Sequence, residues 1–173
     1  MSIRAPRETT NLAELYEEEL MPWERALEAL GTGSLGPEIP CFLSTVRPDG
    51  RPHSAGIGVA EHAGDLYFTS GRETRKSRNL AENPACTLSL RLAGIDLIFE
   101  GDTQRVFDRA TLEEIAAVFR DGGWPAVVDG DGITAPYSAQ SAGPPPWHLY
   151  RINVKTAIGV GLREPHGASR WRF

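Results

Sequence analysis

Residues 72–78 hold four cations, Arg72, Arg75, Lys76 and Arg78, directly after the strand-like run DLYFTS, in a chain whose 18 Lys and Arg are outnumbered by 23 Asp and Glu. Three uses compete for such a cluster. Long cationic side chains decorate exposed helices without any ligand. A nucleic-acid surface would need the basic stripe to continue and aromatic residues to interleave it, and the net charge of −5 opposes it. The third use is a phosphate site: amide N–H groups at a helix start, the positive end of the helix dipole and the hydroxyls of Thr69, Ser70 and Thr74 would converge on one anion. Arginine adds a planar fork that matches phosphate oxygens.

Other residues with chemical potential are more scattered. His53, His62, His148 and His166 share no metal-ligand spacing, so no metal is expected, and neither Gly-x-Ser-x-Gly nor His-Glu-x-x-His occurs. Cys41 and Cys86 sit in apolar runs without a Cys-x-x-Cys spacing and read as reduced core residues. Trp124, Trp147 and Trp171 either wall a ring-binding cleft or fill the core. Arg170 and Arg172 either reach a partner subunit's cofactor tail or stand on the surface.

The elements that must position these groups change period along the chain. Residues 11–33 place Leu12, Leu15, Tyr16, Leu20, Trp23, Leu27 and Leu30 near helical spacing, with Asn11 as N-cap and Pro22 opening a second helix. From Cys41 the pattern is β: CFLSTV, the turn RPDG, then RPHSAGIGVAE, whose Gly56 and Gly58 mark either a bend or close backbone approach. DLYFTS puts Leu66 and Phe68 on one face and Tyr67 and Thr69 on the other. A helix follows, capped by Glu73 or Thr74, pinned by Leu80 and ended by Asn83-Pro84. ACTLSLR and IDLIFEGDTQRVF pair across Ala93-Gly94. DRATLEEIAAVFRDGG is a helix with the capping-box pattern Thr111-x-x-Glu114. Residues 122–146 form a long Gly- and Pro-rich loop, and two strands close the chain. Short turns demand antiparallel pairing, so the expectation is one small β-barrel or closed sheet with helical decorations. With no signal-peptide pattern and no apolar run of spanning length, the expected location is the cytoplasm, away from membranes.

CFLSTVRPDGRPHSAGIGV, DLYFTSGRETRKSRNLAENPACTLSL, LIFEGDTQRVFD and WHLYRINVKTAIGV follow one another in the order and spacing of the pyridoxamine 5′-phosphate oxidase-like proteins, the flavin-binding split β-barrels. The chain resembles that family over about residues 38 to 160, and the ending GASRWRF resembles an actinobacterial branch that includes enzymes using the deazaflavin coenzyme F420. The resemblance implies a mainly β fold with helices, a six-stranded antiparallel split β-barrel over residues 38–173 behind an N-terminal helical extension, 1–37. It implies a homodimer with two flavin sites at the subunit interface. Thr69, Ser70, Arg75 and Lys76, helped by Arg72 and Arg78, would hold the cofactor phosphate; His53, Ser54, Ala55 and Gly56 would face the ring; Trp147, Arg170 and Trp171 complete the expected set.

One departure shapes the functional expectation. Pyridoxamine phosphate oxidases carry an Arg and a Lys on the second strand, where HSAGIGVAE offers only His53, so vitamin B6 oxidation is not expected. The leading expectation is an oxidoreductase that uses coenzyme F420, with FMN second, acting on a small organic substrate beneath residues 124–146. The competing classes are a non-catalytic flavin- or haem-binding protein and an idle dimeric scaffold.

Overall fold

The alternation of CFLSTV decides which side of the sheet is inside: Cys41, Leu43 and Thr45 are buried while Phe42 stands half exposed. The same period-two logic runs through the two long strands over residues 85–92 and 95–106. The structure, a computed structural model, describes residues 5–173. In chain order the elements are β1 (Glu8–Asn11), α1 (Trp23–Leu30), β2 (Gly33–Ser34), β3 (Cys41–Val46), β4 (Pro52–Gly56), β5 (Val59–His62), β6 (Asp65–Ser70), α2 (Arg75–Glu82), β7 (Ala85–Leu92), β8 (Ile95–Val106), α3 (Arg109–Asp121), β9 (Val127–Asp129), β10 (Gly132–Thr134), β11 (His148–Gly161) and β12 (Ala168–Arg172).

The sheet path runs β5-β6-β11-β8-β7-β3-β4, all antiparallel, with β2 added beside β5. Its two ends, β4 and β5, are separated only by Ile57 and Gly58, so they are two halves of one bent strand. Counted that way, six strands curl into a split barrel. β8 and β11 form its longest pairing, with a register shift between Val154 and Thr156. Gly101 lies opposite this irregularity, and a Cβ there would fall 2.2 Å from the Asn153 carbonyl oxygen, so only glycine fits.

Two apolar clusters hold the barrel. The first fills its interior with Leu43, Leu66, Phe68, Leu88, Leu97, Phe99 and Ile152. The second lies where Tyr67 and Leu149 meet the apolar stripe of α3, Leu112, Ile115, Ala116 and Phe119. Each such fully buried large side chain stabilises the fold by about 1.5–3 kcal/mol relative to exposure. Leu66 and Phe68 thus face one cluster and Tyr67 the other, as the strand pattern requires.

Three local expectations are corrected. Residues 8–11 form a strand paired with β12, and only a single 3₁₀ turn, Glu14–Tyr16, precedes α1, so the helix expected after Asn11 does not form. The reason is burial: Leu15 and Tyr16 are 87% and 76% exposed, and helical spacing without a surface to pack on does not hold a helix. Pro22 does open α1, whose Trp23, Ala26 and Leu30 join the interior cluster, so the N-terminal segment shares the barrel's core. At α3 the cap is Asp108, whose Oδ2 accepts from the Thr111 amide at 2.8 Å and hydroxyl at 2.6 Å, in place of a box starting at Thr111. The 122–146 loop contains the small hairpin β9–β10. Among the described residues no helix is long and apolar enough to cross a membrane.

Candidate functional site

Thr74 caps α2, accepting the Ser77 amide at 3.3 Å, and its hydroxyl donates to the Gly71 carbonyl at 2.8 Å. Each hydroxyl has one proton to give. With that of Thr74 used on Gly71, Ser70 Oγ must donate to Thr74 Oγ1 at 2.9 Å, and Ser77 Oγ donates to Ser70 Oγ at 2.7 Å. Ser70 and Thr74 therefore brace the turn where the sequence had them pointing at an anion, and Thr69 stands on the opposite face of β6. Gly71 lets the 122–146 loop close over this turn: its amide donates to Ala142 O at 3.1 Å, and a Cβ there would lie 2.2 Å from that oxygen.

The braced turn aims the start of α2 across a cleft of about 410 Å³, lined by His53 and Ala55 of β4, Glu73, Thr74, Arg75 and Lys76, and Gln140, Ser141 and Gly143 of the loop. Lys76 is only 5% exposed, and among the described residues no carboxylate lies within salt-bridge distance of it or of the exposed Arg75 and Arg78. Burial pushes the Lys76 pKa below its usual value. His53 is likewise held low, by desolvation first and then by the nearby charges of Arg47, Lys76 and Arg75. Its Nδ1 is buried without a partner. Glu73, exposed on the lining, forms no salt bridge with these cations, so an anion entering the pocket would relieve like-charge repulsion and partner a desolvated ammonium.

The helix is registered to the strand that carries His53. Asn79, fully buried, donates to Thr45 Oγ1 at 2.9 Å, and that hydroxyl donates to the His53 carbonyl at 3.4 Å. β4 also keeps an open edge. Arg47 pairs with Arg51 and Ile57 donates to Cys41, so the alternation bonds His53 and Ala55 to β3 and leaves the amides of Ser54 and Gly56 facing away from it.

A second charged group sits one turn away. Asp131, at the tip of β9–β10, accepts from Arg72 at 3.1 Å and from Arg105 at 2.6 Å. Desolvation works to raise the Asp131 pKa, but the two arginines outweigh it and hold the carboxyl below its usual range. Arg105 also stacks 4.3 Å over the Phe107 ring. His148 is lowered by desolvation and by these same arginines.

Of the residues singled out from sequence, His53, Ala55, Arg75 and Lys76 come together in the cleft. Arg72 is spent on Asp131, Arg78 is exposed and outside the cleft lining, and Ser54 and Gly56 do not line the cleft, their amides lying along the open edge of β4. Trp147 is buried against Trp124, its indole N–H donating to Gly143 O at 2.9 Å, and so ties the loop down without lining the cleft. Trp171 is completely buried against Trp23 in the main core, and Arg170 reaches toward Thr10 across the β1–β12 pair. Neither lines this cleft. Arg47, Gln140, Ser141 and Asp131 were not singled out from sequence. The polar run SAQSAG before three prolines signals a constrained loop but not its destination. The two cysteines are buried and free, with burial pushing Cys41 up to about 11 and Cys86 up to about 12.

The chain is thus a six-stranded split barrel with a cationic cleft at the start of a helix. Residues 35–161, well over half of the chain, match the family model for pyridoxamine 5′-phosphate oxidase, and the chain belongs to that family. Its fold is similar to a pyridoxamine 5′-phosphate oxidase-related, FMN-binding protein from Nostoc punctiforme, 17% identical with a TM-score of 0.53, over 75% of this chain and 78% of that one. A conserved hypothetical protein from Mycobacterium tuberculosis is 18% identical with a TM-score of 0.59, over 83% and 87% of the two chains. A heme-binding protein from Mycobacterium smegmatis is 14% identical with a TM-score of 0.54, over 81% of this chain and 53% of that one. At these identities the likeness establishes the fold. No curated protein matches the sequence.

Proposed function

We propose that the chain is an oxidoreductase that holds the phosphate of a flavin-type cofactor at the start of α2, coenzyme F420 ahead of FMN, for hydride exchange with a small organic substrate. The observation that carries this reading is Lys76: a buried ammonium with no carboxylate within salt-bridge distance among the described residues, next to Arg75 and the unpartnered His53 Nδ1. These groups fit a phosphate in charge, in donor type and in placement at a helix N-terminus. Arg75 and Lys76 would bind the phosphate, the open edge of β4 would hydrogen-bond the ring, and the loop through Gln140 and Ser141 would exclude water. The bound ring supplies the hydride chemistry, and the chain supplies orientation and electrostatics. F420 is favoured over FMN because His53 is the one ionisable side chain on β4, where the family's oxidases carry an Arg and a Lys.

The reading extends to a cytoplasmic homodimer with the cofactor at the subunit interface, supported by the family resemblance and by the half-exposed Phe42 beside β4. Titrating the apo-protein with each cofactor, followed by tryptophan quenching and absorbance, tests the cofactor. Saturable uptake of F420 with a lower Kd than FMN supports the reading. The reverse order would replace F420 by FMN, and uptake of haem alone or of nothing would end the oxidoreductase assignment. Sedimentation should report a dimer; a clean monomer contradicts a shared pocket.

A further inference from the structure

Glu61, on β5, is 6% exposed, and its Oε1 accepts the Gly64 amide at 2.7 Å while its buried Oε2 has no hydrogen-bond partner. A carboxylate oxygen kept from water without a donor is uncommon in folded proteins and asks for a reason. Glu61 lines a cavity of about 700 Å³ between the end of α1 and the β5–β6 turn, with apolar walls from Leu27, Leu30 and Val118 and a second carboxylate, Glu28. No Lys or Arg lines it, and His62 at its rim is turned to Glu114 at 3.6 Å. The cavity shares no lining residue with the α2 cleft.

We infer that this cavity is a second binding site, for a small organic cation in which a primary ammonium or amidinium sits on an apolar body. The ammonium would give the buried Glu61 carboxylate its missing donor and balance the charge of Glu28, while the apolar body covers Leu27, Leu30 and Val118. An anion meets two carboxylates and no cation there. A neutral alcohol can donate one hydrogen bond but leaves the charge unbalanced.

The test is a titration of the full chain with hexylammonium, and with hexanol as the neutral isostere, followed at the Gly64 amide by NMR. Hexylammonium should shift that resonance saturably with a Kd at least about tenfold below that of hexanol, a difference of about 1.4 kcal/mol. In Glu61→Gln, which keeps the acceptor for Gly64 but loses the charge, hexylammonium affinity should fall about tenfold or more. Thr32→Trp fills the mouth from an exposed position and leaves Glu61 intact, so it decides the matter if the first variant does not fold: binding should disappear. Equal affinity for hexanol, undiminished binding to either variant, or no saturable shift would overturn the site. None of these outcomes bears on the α2 cleft.

Discussion

Arg72 and the pair Arg75–Lys76 stand three residues apart on one turn, yet the fold treats them in opposite ways. Arg72 shares Asp131 with Arg105, and its charge is consumed in joining the β9–β10 hairpin to the barrel. Arg75 and Lys76 face a cleft whose one lining carboxylate, the exposed Glu73, makes no salt bridge to them, while Arg47 and, on protonation, His53 add positive charge nearby. Compensated cations fasten a structure; uncompensated ones, especially when buried, store an affinity that a ligand can collect. This chain places both within five residues at the start of α2.

The largest expected effect falls on the uncompensated side. Replacing Arg75 and Lys76 together by Ala should weaken cofactor binding by about 2–4 kcal/mol, as measured by the change in Kd, because two charge-assisted phosphate bonds disappear. The same region makes a prediction of opposite sign for stability. Lys76→Met removes a desolvated charge from a mostly buried position and should raise unfolding free energy by on the order of 1 kcal/mol in denaturant titration without cofactor. A loss of stability there would mean that Lys76 has a structural partner after all.

On the compensated side, Asp131→Asn should cost at most about 1 kcal/mol of stability, since the bridge is half exposed, and the loss should shrink at high salt. Its effect on cofactor affinity should be small; a loss as large as that of the double Ala variant would erase the distinction between the two groups. The gentlest probe is His53. Its folded pKa lies below the ordinary value of about 6.5, so its contribution to stability is present above that pH and is lost as the pH falls through it toward the folded value. An anion in the cleft should raise the His53 midpoint, read from its ring protons by NMR, and anion affinity should strengthen as pH falls. An unmoved midpoint on phosphate addition would place the anion elsewhere.

The barrel was legible where strands alternate: CFLSTV names its buried face locally, whereas DLYFTS, buried on both faces, sorts Leu66 and Phe68 from Tyr67 but shows Tyr67 buried only once α3 packs on it. The α2 start was legible because its cap, its cations and its stop at Asn83-Pro84 are all local. What failed depended on long-range partners. Residues 8–11 are a strand only because β12 lies beside them, and Leu12 and Leu15 keep helical spacing with nothing to bury against. Nothing local separates Arg72 from Arg75; the deciding Asp131 is 59 residues from Arg72. Trp147 and Trp171 have the right chemistry for a ring-binding wall, and only packing shows them to be buried.

The central claim is that the unpaired Arg75 and Lys76 grip the anionic part of a planar redox cofactor. Parallel titrations of wild type, the Arg75→Ala/Lys76→Ala variant and Asp131→Asn with F420 and FMN test it most directly. The expected result is a Kd raised at least about 30-fold in the double variant and nearly unchanged in Asp131→Asn. Wild-type affinity in the double variant would contradict the claim.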